Sequence, residues 1–483
     1  MCFDQSVNLT AELLAPDIAA LIKEGAFSEV RSALHGLPPV DVADILSCLD
    51  PAEAALGFRF MPRDAAAEAF AYLTPELQER LINELGAEGS VRVIEGMSSD
   101  DQARLLDELP ESVAERVVAS LSPQTRATTQ AILGYPPRTV GRLMTPDYLK
   151  IKPEWTVAQA LDHVRKHGRD AETINVVYVV DDSGKLIDDL RLRQIFLADP
   201  AAKIEDLMNR NFVTLRADQP QEEAVQLMAR YDRTALPVVD SRGNLIGIVT
   251  ADDVADVAQQ EFTEDIQKVG GMAALEENFA QASVTSLVQK RAPWLALLFL
   301  SELLTSNTLR YFDTEIQKVV VLSIFIPAII SSGGNSGSQS STLVIRALAT
   351  GEVVVKDWWK ILRRELVVAS VLGLIIGCLG FIRVTIWGLL GWWTQARTDA
   401  AGVTVIDTSV QEHYIRLAAA ISTSLIGVVL WGSVMGALLP FGLKKLKLDP
   451  AGSSTPFVAT LVDVTGIIIY FTAAILILRG TLL

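Results

Sequence analysis

Asp463 lies roughly two turns inside the apolar run TPFVATLVDVTGIIIYFTAAILIL, with no base at i±3 or i±4 to pair with it. A carboxylate in hydrocarbon costs several kcal/mol unless it faces water or a partner, so an acid there points to an ion path. A bond to a hydroxyl such as Thr460, or to a base on another helix, is the structural alternative. A second run, FIPAIISSGGNSGSQSSTLVIRAL, puts glycines and small hydroxyl residues over two turns, with Asn335, Ser338 and Gln339 supplying neutral oxygens. Such a run permits close backbone approach and exposes carbonyls along a water-filled path, or builds a tight helix crossing; the two readings are compatible. No GK[ST] follows, so it is not a P-loop. A third acidic feature is the stretch DVADVAQQEFTEDIQKVGGM, which holds Asp253, Asp256, Glu261, Glu264 and Asp265 within about three helical turns. A charge run is ordinarily a solvated face. This one stands directly before the apolar half of the chain. Glu302 is a further acid among apolar residues, and its sequence does not say whether it lines a path or bonds a neighbour.

These residues are carried by three kinds of sequence. From about Asp17 to Tyr135, apolar residues fall at helical spacing and prolines recur at positions 38, 51, 62, 75, 110, 123 and 136, each restarting a short helix. Helices with one apolar face bury it by stacking, which predicts an all-α helical solenoid over residues 1–137. Residues 138–258 contain one pattern twice: helix, strand, helix, two apolar strands, helix. The second copy reads ALPVVDSRGNLIGIVTADDV. In the first, Asp188 stands where the second has Gly247. Residues 259–290 form the acidic connection, and 291–483 hold five apolar spans: about 292–308, 319–347, 366–390, 414–443 and 456–478.

Of 58 acids and 42 bases, the part after Arg291 holds about 11 and about 14, leaving roughly −19 on the first half and roughly +3 on the second. So negative a soluble half excludes nucleic acid and favours cations. Lys290 and Arg291, then Lys356, Lys360, Arg363 and Arg364, then Lys444, Lys445 and Lys447 flank the spans on one side. The positive-inside rule places that side, and the soluble half, in the cytosol, with the C-terminus outside an inner membrane. Trp387, Trp392 and Trp393 fit the outer aromatic belt. No positive n-region precedes an apolar stretch at the start, so no cleavable signal peptide is expected. Cys2, Cys48 and Cys378 form no CxxC pair, in keeping with a reducing compartment.

The histidines, His35, His163, His167 and His413, supply no HExxH, which speaks against a metalloprotease and, with the rest, against an enzyme. His163 and His167 read as surface residues of the first repeat. An anion channel is disfavoured by an acid in the last span and by Arg346 as the lone base within the first, second and fifth.

The repeated segment resembles a tandem pair of cystathionine-β-synthase (CBS) domains, a regulatory module. Together with the helical N-domain, TEDIQKVGG, GGNSGSQS and DPAGSSTPFVATLVDVTG, the chain resembles the MgtE family of magnesium channels over nearly its whole length. That resemblance implies a magnesium-selective channel. It makes Asp463 the filter carboxylate with the Ala459 carbonyl beside it, and lines the path with Asn335, Gly337 and Gln339. It places cytosolic magnesium sites at Asp232, Asp253, Asp256, Glu261, Glu264, Asp265 and Asp449, with Asp100 or Asp101 added from the N-domain. Magnesium sheds its waters reluctantly, so one Asp per chain plus neutral oxygens suits it better than a carboxylate cage. A homodimer is the expected assembly, since a twofold axis would bring two Asp463 carboxylates to one ion. Bridging of the acidic surfaces by cytosolic magnesium would close the pore. Transport of cobalt, manganese or calcium on the same scaffold is the alternative. Adenine nucleotide such as ATP at the CBS pair is a further expected partner, because Thr250 and Asp253 sit where such domains hold ribose and phosphate.

Overall fold

The computed structural model describes residues 9–275, 279, 282–393, 395–398, 404–407, 409–452 and 455–483. Cys2, Ser453, Ser454 and parts of the acidic connection lie outside them. The chain divides into two compact units, 1–258 and 259–483.

The first unit begins with short helices whose starts are set by proline. Pro39, Pro51, Pro75 and Pro123 open helices at the first turn, and Pro38, Pro62 and Pro110 occupy the position just before one. Proline fits there because the first helical N–H groups have no intrahelical acceptor and its fixed φ is already helical. Most of these helices pack on their next-but-one neighbour, as a solenoid requires. They share one core that includes Ile45, Leu46, Phe58, Phe70, Leu81 and Ile94. The helix that matters for function is Ser99–Glu108 (α1), with Asp100 and Asp101 in its first turn, where the helix dipole favours anions.

The CBS-like repeat follows as two three-stranded sheets. In the first, Lys150–Ile151 (β1) precedes the helix Val157–His167 (α2) and runs parallel to Val176–Val180 (β2), which pairs antiparallel with Leu186–Arg191 (β3). The second repeats this with Leu215–Arg216 (β4), Gln221–Tyr231 (α3), Ala235–Val239 (β5) and Leu245–Thr250 (β6). The two copies meet across a core of Val176, Tyr178, Val180, Leu186, Val239, Leu245 and Ile248. One pairing breaks the symmetry. Gly247 admits Met144 and Thr145, and a Cβ there would lie 2.8 Å from the Met144 sulfur. At the matching position the fully buried Asp188 carboxylate accepts the backbone N–H groups of Asn209 at 2.8 Å and Arg210 at 2.9 Å. The chain thus fastens itself with a carboxylate in the first copy and with backbone contact in the second. Strand β6 leads straight into a 19-residue helix, Ala251–Val269 (α4), which carries the acidic run.

In the second unit the long helices are Val284–Tyr311 (α5), Val321–Ala349 (α6), Trp358–Leu389 (α7), Tyr414–Lys445 (α8) and Thr455–Leu478 (α9). A hairpin of Gln395–Thr398 (β7) and Thr404–Asp407 (β8) lies between α7 and α8. Among the described residues, three stretches are long and apolar enough to cross a membrane: 355–389, 414–445 and 455–478. Helices α5 and α6, with 28 and 29 residues, have the length. They are less apolar, because α6 holds GGNSGSQSS and α5 holds Lys290, Arg291, Glu302 and Arg310. The outer faces of the unit expose Phe299, Leu300, Leu343, Leu374, Leu379 and Leu476. Apolar surface on that scale needs lipid or another chain to cover it.

The glycine run of α6 stays helical throughout, so its carbonyls remain within the helix rather than opening onto a path. The helix-crossing reading is the one realised. Gly333 and Gly337 on α6 meet Gly432 and Gly436 on α8 so closely that a Cβ on Gly432 or Gly436 would collide with the carbonyl oxygen of Gly333 or Gly337. Ser336 and Ser433 share a 2.6 Å hydrogen bond at the same crossing. Tyr470 on α9 donates to the Leu322 carbonyl of α6 at 2.8 Å, tying the third helix in. The rings of Trp387 and Trp393 meet at a tilt of 48° with centroids 5.2 Å apart, and the Trp393 indole donates to the Val384 carbonyl at 3.0 Å.

Because backbone cannot move aside as a side-chain tip can, Gly432→Ala should cost about 1–3 kcal/mol or more. Its melting temperature in detergent should drop by several degrees. Gly442→Ala, on the same helix with nothing within 4 Å of the added carbon, should leave it unchanged or slightly raised. Equal melting of the two variants would contradict the packing described.

Candidate functional site

Asp463 projects from α9 toward α6 at the glycine run. The nearest atoms to a Cβ built on Gly334 would be the Ala459 Cβ at 3.4 Å and the Asp463 Oδ1 at 3.7 Å, so Gly334 faces both residues one turn apart. A Cβ at this position would meet both residues at ordinary van der Waals distance, so Gly334 marks the contact without being required for it. Asp463 is half-buried, and among the described residues no base lies within ion-pair distance of it. The hydroxyl of Thr460 donates to the Pro456 carbonyl at 2.9 Å instead, which removes the local structural alternative. Glu302 on α5 is the charged group that acts on Asp463, placing a second acid beside the first. Asn335 and Gln339 are exposed on one face of α6. Gly337 is buried in the crossing with α8, against Gly432 and Val458.

A second cluster forms in the first unit, where α1 meets the start of α4. Asp100 is 8% exposed, and one of its carboxylate oxygens is buried without a hydrogen-bond partner. Asp100 neighbours Asp253, which accepts the Thr250 hydroxyl at 2.7 Å. Arg104 reaches Asp101 at 2.6 Å and Asp256 at 3.3 Å. Ser99 donates to Asp147 at 2.7 Å, and the Glu172 amide donates to the Asp147 carbonyl at 2.7 Å. Burial, and then the charge of Asp100, push Asp253 up to about 8, although the Thr250 hydrogen bond opposes this. Glu172 is pushed up to about 7, first by burial and then by Asp100, Asp252, Asp101 and Asp147. Asp100 is raised too, by burial and by Asp101.

A third cluster lies at the end of α4, in the second unit. Lys268 bonds Glu264 at 2.5 Å and Asp449 at 2.6 Å. Asp265 beside them is pushed up to about 6 by burial and then by Asp449, with Lys268 opposing and Glu261 and Glu264 adding. Gly271, at φ +79°, follows the helix and packs on Trp294 and Pro456, where a Cβ would fall 2.7 Å from the indole nitrogen.

Of the residues singled out in the sequence, Asp100, Asp101, Asp253 and Asp256 come together in one cluster, and Glu261, Glu264, Asp265 and Asp449 in the other. Asp232 belongs to neither. It caps α3 in a left-handed conformation (φ 52°) and is exposed. Sequence reasoning missed Arg104, Glu108, Asp147, Glu172 and Lys268. Arg104 and Lys268 follow an acid by three and four residues on a helix, a legible sign of pairing. Glu172 lies in a loop and carries no such sign. Among the described residues, no three His, Cys, Asp or Glu side chains converge closely enough to form a direct metal cage.

A carboxyl that holds its proton more tightly in the folded chain than in the unfolded one adds stability that is complete below its ordinary pKa, 3.8, and is lost as pH rises through about 8. In metal-free buffer the first unfolding transition should therefore move to lower temperature between pH 5 and about pH 8. Asp253→Asn should flatten that dependence. A wild-type transition that rises over the same range would show the opposite sign.

Comparison with known proteins gives one consistent result. Residues 326–473 match the family model MgtE, a divalent cation transporter; residues 37–138 match the MgtE intracellular N domain; and residues 140–199 and 204–259 match the CBS domain. The magnesium transporter MgtE of Thermus thermophilus is 35% identical over 97% of this chain and 99% of its own length. That of Bacillus subtilis is 30% identical over 97% and 98%. A solved soluble part of a magnesium transporter aligns with a TM-score of 0.50 at 25% identity, covering 52% of this chain and 99% of that one.

Proposed function

This chain belongs to the MgtE family of divalent cation transporters, and from that premise we propose that it is a magnesium-selective channel of the inner membrane closed by magnesium on its cytosolic side. It is integral to the membrane, and magnesium is the ion its relatives are named for. The observation that carries the pore reading is the Asp463 carboxylate, held half-buried beside Gly334 with no base near it among the described residues. An uncompensated acid at that depth is stabilised by a passing cation. The Ala459 carbonyl and the exposed Asn335 and Gln339 complete the proposed path, whereas Gly337, buried against α8, serves the helix crossing instead. Five helices, α5 to α9, form the pore domain over residues 291–483, with the N-terminus in the cytosol and the C-terminus outside. Two chains on a twofold axis would place a pair of Asp463 carboxylates about one ion.

Gating follows from the two cytosolic clusters. Each gathers carboxylates that repel one another, so without a counter-ion the surfaces carrying them tend to separate. Magnesium binding to Asp100, Asp101, Asp253 and Asp256, and to Glu261, Glu264, Asp265 and Asp449, favours the compact arrangement and shifts the population to the closed state. The N-domain over 1–137, the CBS pair over 138–258 and the connection over 259–290 would then act as the sensor. Asp232 is proposed as an outlying ligand, and ATP as a ligand of the CBS pair near Thr250.

Vesicles bearing the wild type should take up magnesium down a gradient, and those bearing Asp463→Ala should lose at least about tenfold of that rate while the protein remains folded. Full uptake by that variant would refute the pore assignment. Competition by cobalt, manganese and calcium in the same assay decides selectivity. Replacing Asp253, Asp256 and Glu261 with Ala should leave current flowing at millimolar internal magnesium, and ordinary closure in that variant would refute the sensor.

A further inference from the structure

Both acidic clusters contain one basic side chain placed between carboxylates that come from different parts of the fold. Arg104 joins Asp101 on its own helix to Asp256 on α4, at 2.6 and 3.3 Å. Lys268 joins Glu264 on its own helix to Asp449, beyond α8, at 2.5 and 2.6 Å. In each case one bond is local and the other crosses to a separate segment. A bridging divalent ion in such a cluster would make the same pair of connections. Neither base is deeply buried: the Arg104 side chain is 39% exposed and that of Lys268 30%. Both can therefore swing into water without a large desolvation cost, which a permanently structural ion pair in the core could not do.

We propose that Arg104 and Lys268 are tethered counter-ions that compete with the divalent cation for Asp101 and Asp256, and for Glu264 and Asp449, and so set the ion concentration at which the clusters fill. The inference rests on the sensor reading given above and adds what limits its affinity. When the ion level is low, each base screens its two carboxylates with a single charge, which slows the separation of the segments without holding them compact. As the level rises, a doubly charged ion displaces the base, which moves to solvent. The apparent affinity is then the intrinsic affinity reduced by the work of expelling the tethered group.

The two roles give opposite signs when the base is removed. If Arg104 only holds the fold together, Arg104→Gln weakens the cluster at every ion concentration and raises the magnesium needed to compact it. If it competes, the variant is looser without ion but binds the ion more tightly. The measurement uses the full chain in detergent, with chymotrypsin cleavage followed across a magnesium titration and magnesium binding followed by calorimetry. Wild type, Arg104→Gln, Arg104→Lys, Lys268→Gln and Lys268→Arg are compared. Competition predicts faster cleavage of the two Gln variants in chelator, and a midpoint of protection about five- to tenfold lower in magnesium. It also predicts near wild-type behaviour of Arg104→Lys and Lys268→Arg. Gln variants with unchanged or higher midpoints overturn the inference while leaving the sensor intact. A wild-type chain with no magnesium-dependent protection overturns the sensor reading itself. Should Arg104→Gln fail to fold, the Lys268 pair carries the same comparison by itself.

Discussion

A carboxylate withdrawn from bulk water has to be compensated by a proton, a base or a metal ion, and the cost of leaving it uncompensated runs to several kcal/mol. Four acidic places in this chain can be ranked by what is already there. At Asp188 the compensation is complete, since three backbone amides, those of Asp189, Asn209 and Arg210, take the carboxylate and nothing mobile is required. In the clusters at the two ends of α4 it is partial. Asp100 lies close enough to Asp253 to raise it, and Arg104 and Lys268 each answer two acids of their cluster. At Asp463, among the described residues, no base and no hydroxyl answers it. A group in the first state is structural; the proposed sensor uses the second state, and the proposed ion path uses the third.

Most of the architecture was legible because it rests on local rules. Prolines at 51, 75 and 123 mark helix starts for a reason contained within one residue, the missing N–H and the fixed φ. The doubled strand pattern announced two matching sheets, since burial on both faces of β2 and β5 demands VVYVV and ALPVV. Less was legible in the membrane half, where α5 and α6 carry charged and small polar residues that α7, α8 and α9 largely lack along their apolar stretches. The glycine run had two compatible readings, and only the position of α8 decides that its glycines face another helix.

The clusters were half visible. Acids at 253, 256, 261, 264 and 265 declare themselves by density, yet which of them meet Asp100 or Asp449 depends on contacts more than a hundred residues apart in sequence. Glu172 is the clearest omission: an isolated acid in a loop, it gains its elevated pKa of about 7 because folding buries it and brings it near Asp100 and Asp252. Charge neighbours of this kind are a property of the fold and leave no periodic trace. Asp232 shows the converse, a residue whose motif position suggested a role and whose place in the structure is a left-handed helix cap.

The contact of Gly333 and Gly337 with Gly432 and Gly436 has a mechanical meaning. A joint made of backbone against backbone has no rotamers to rearrange and no soft side chain to compress, so it behaves as a fixed fulcrum. Asp463 hangs beside that fulcrum, on a helix bound to it through Tyr470. Any change in aperture next to the carboxylate would have to be produced by elements that touch it through flexible side chains, above all α5, which brings Glu302.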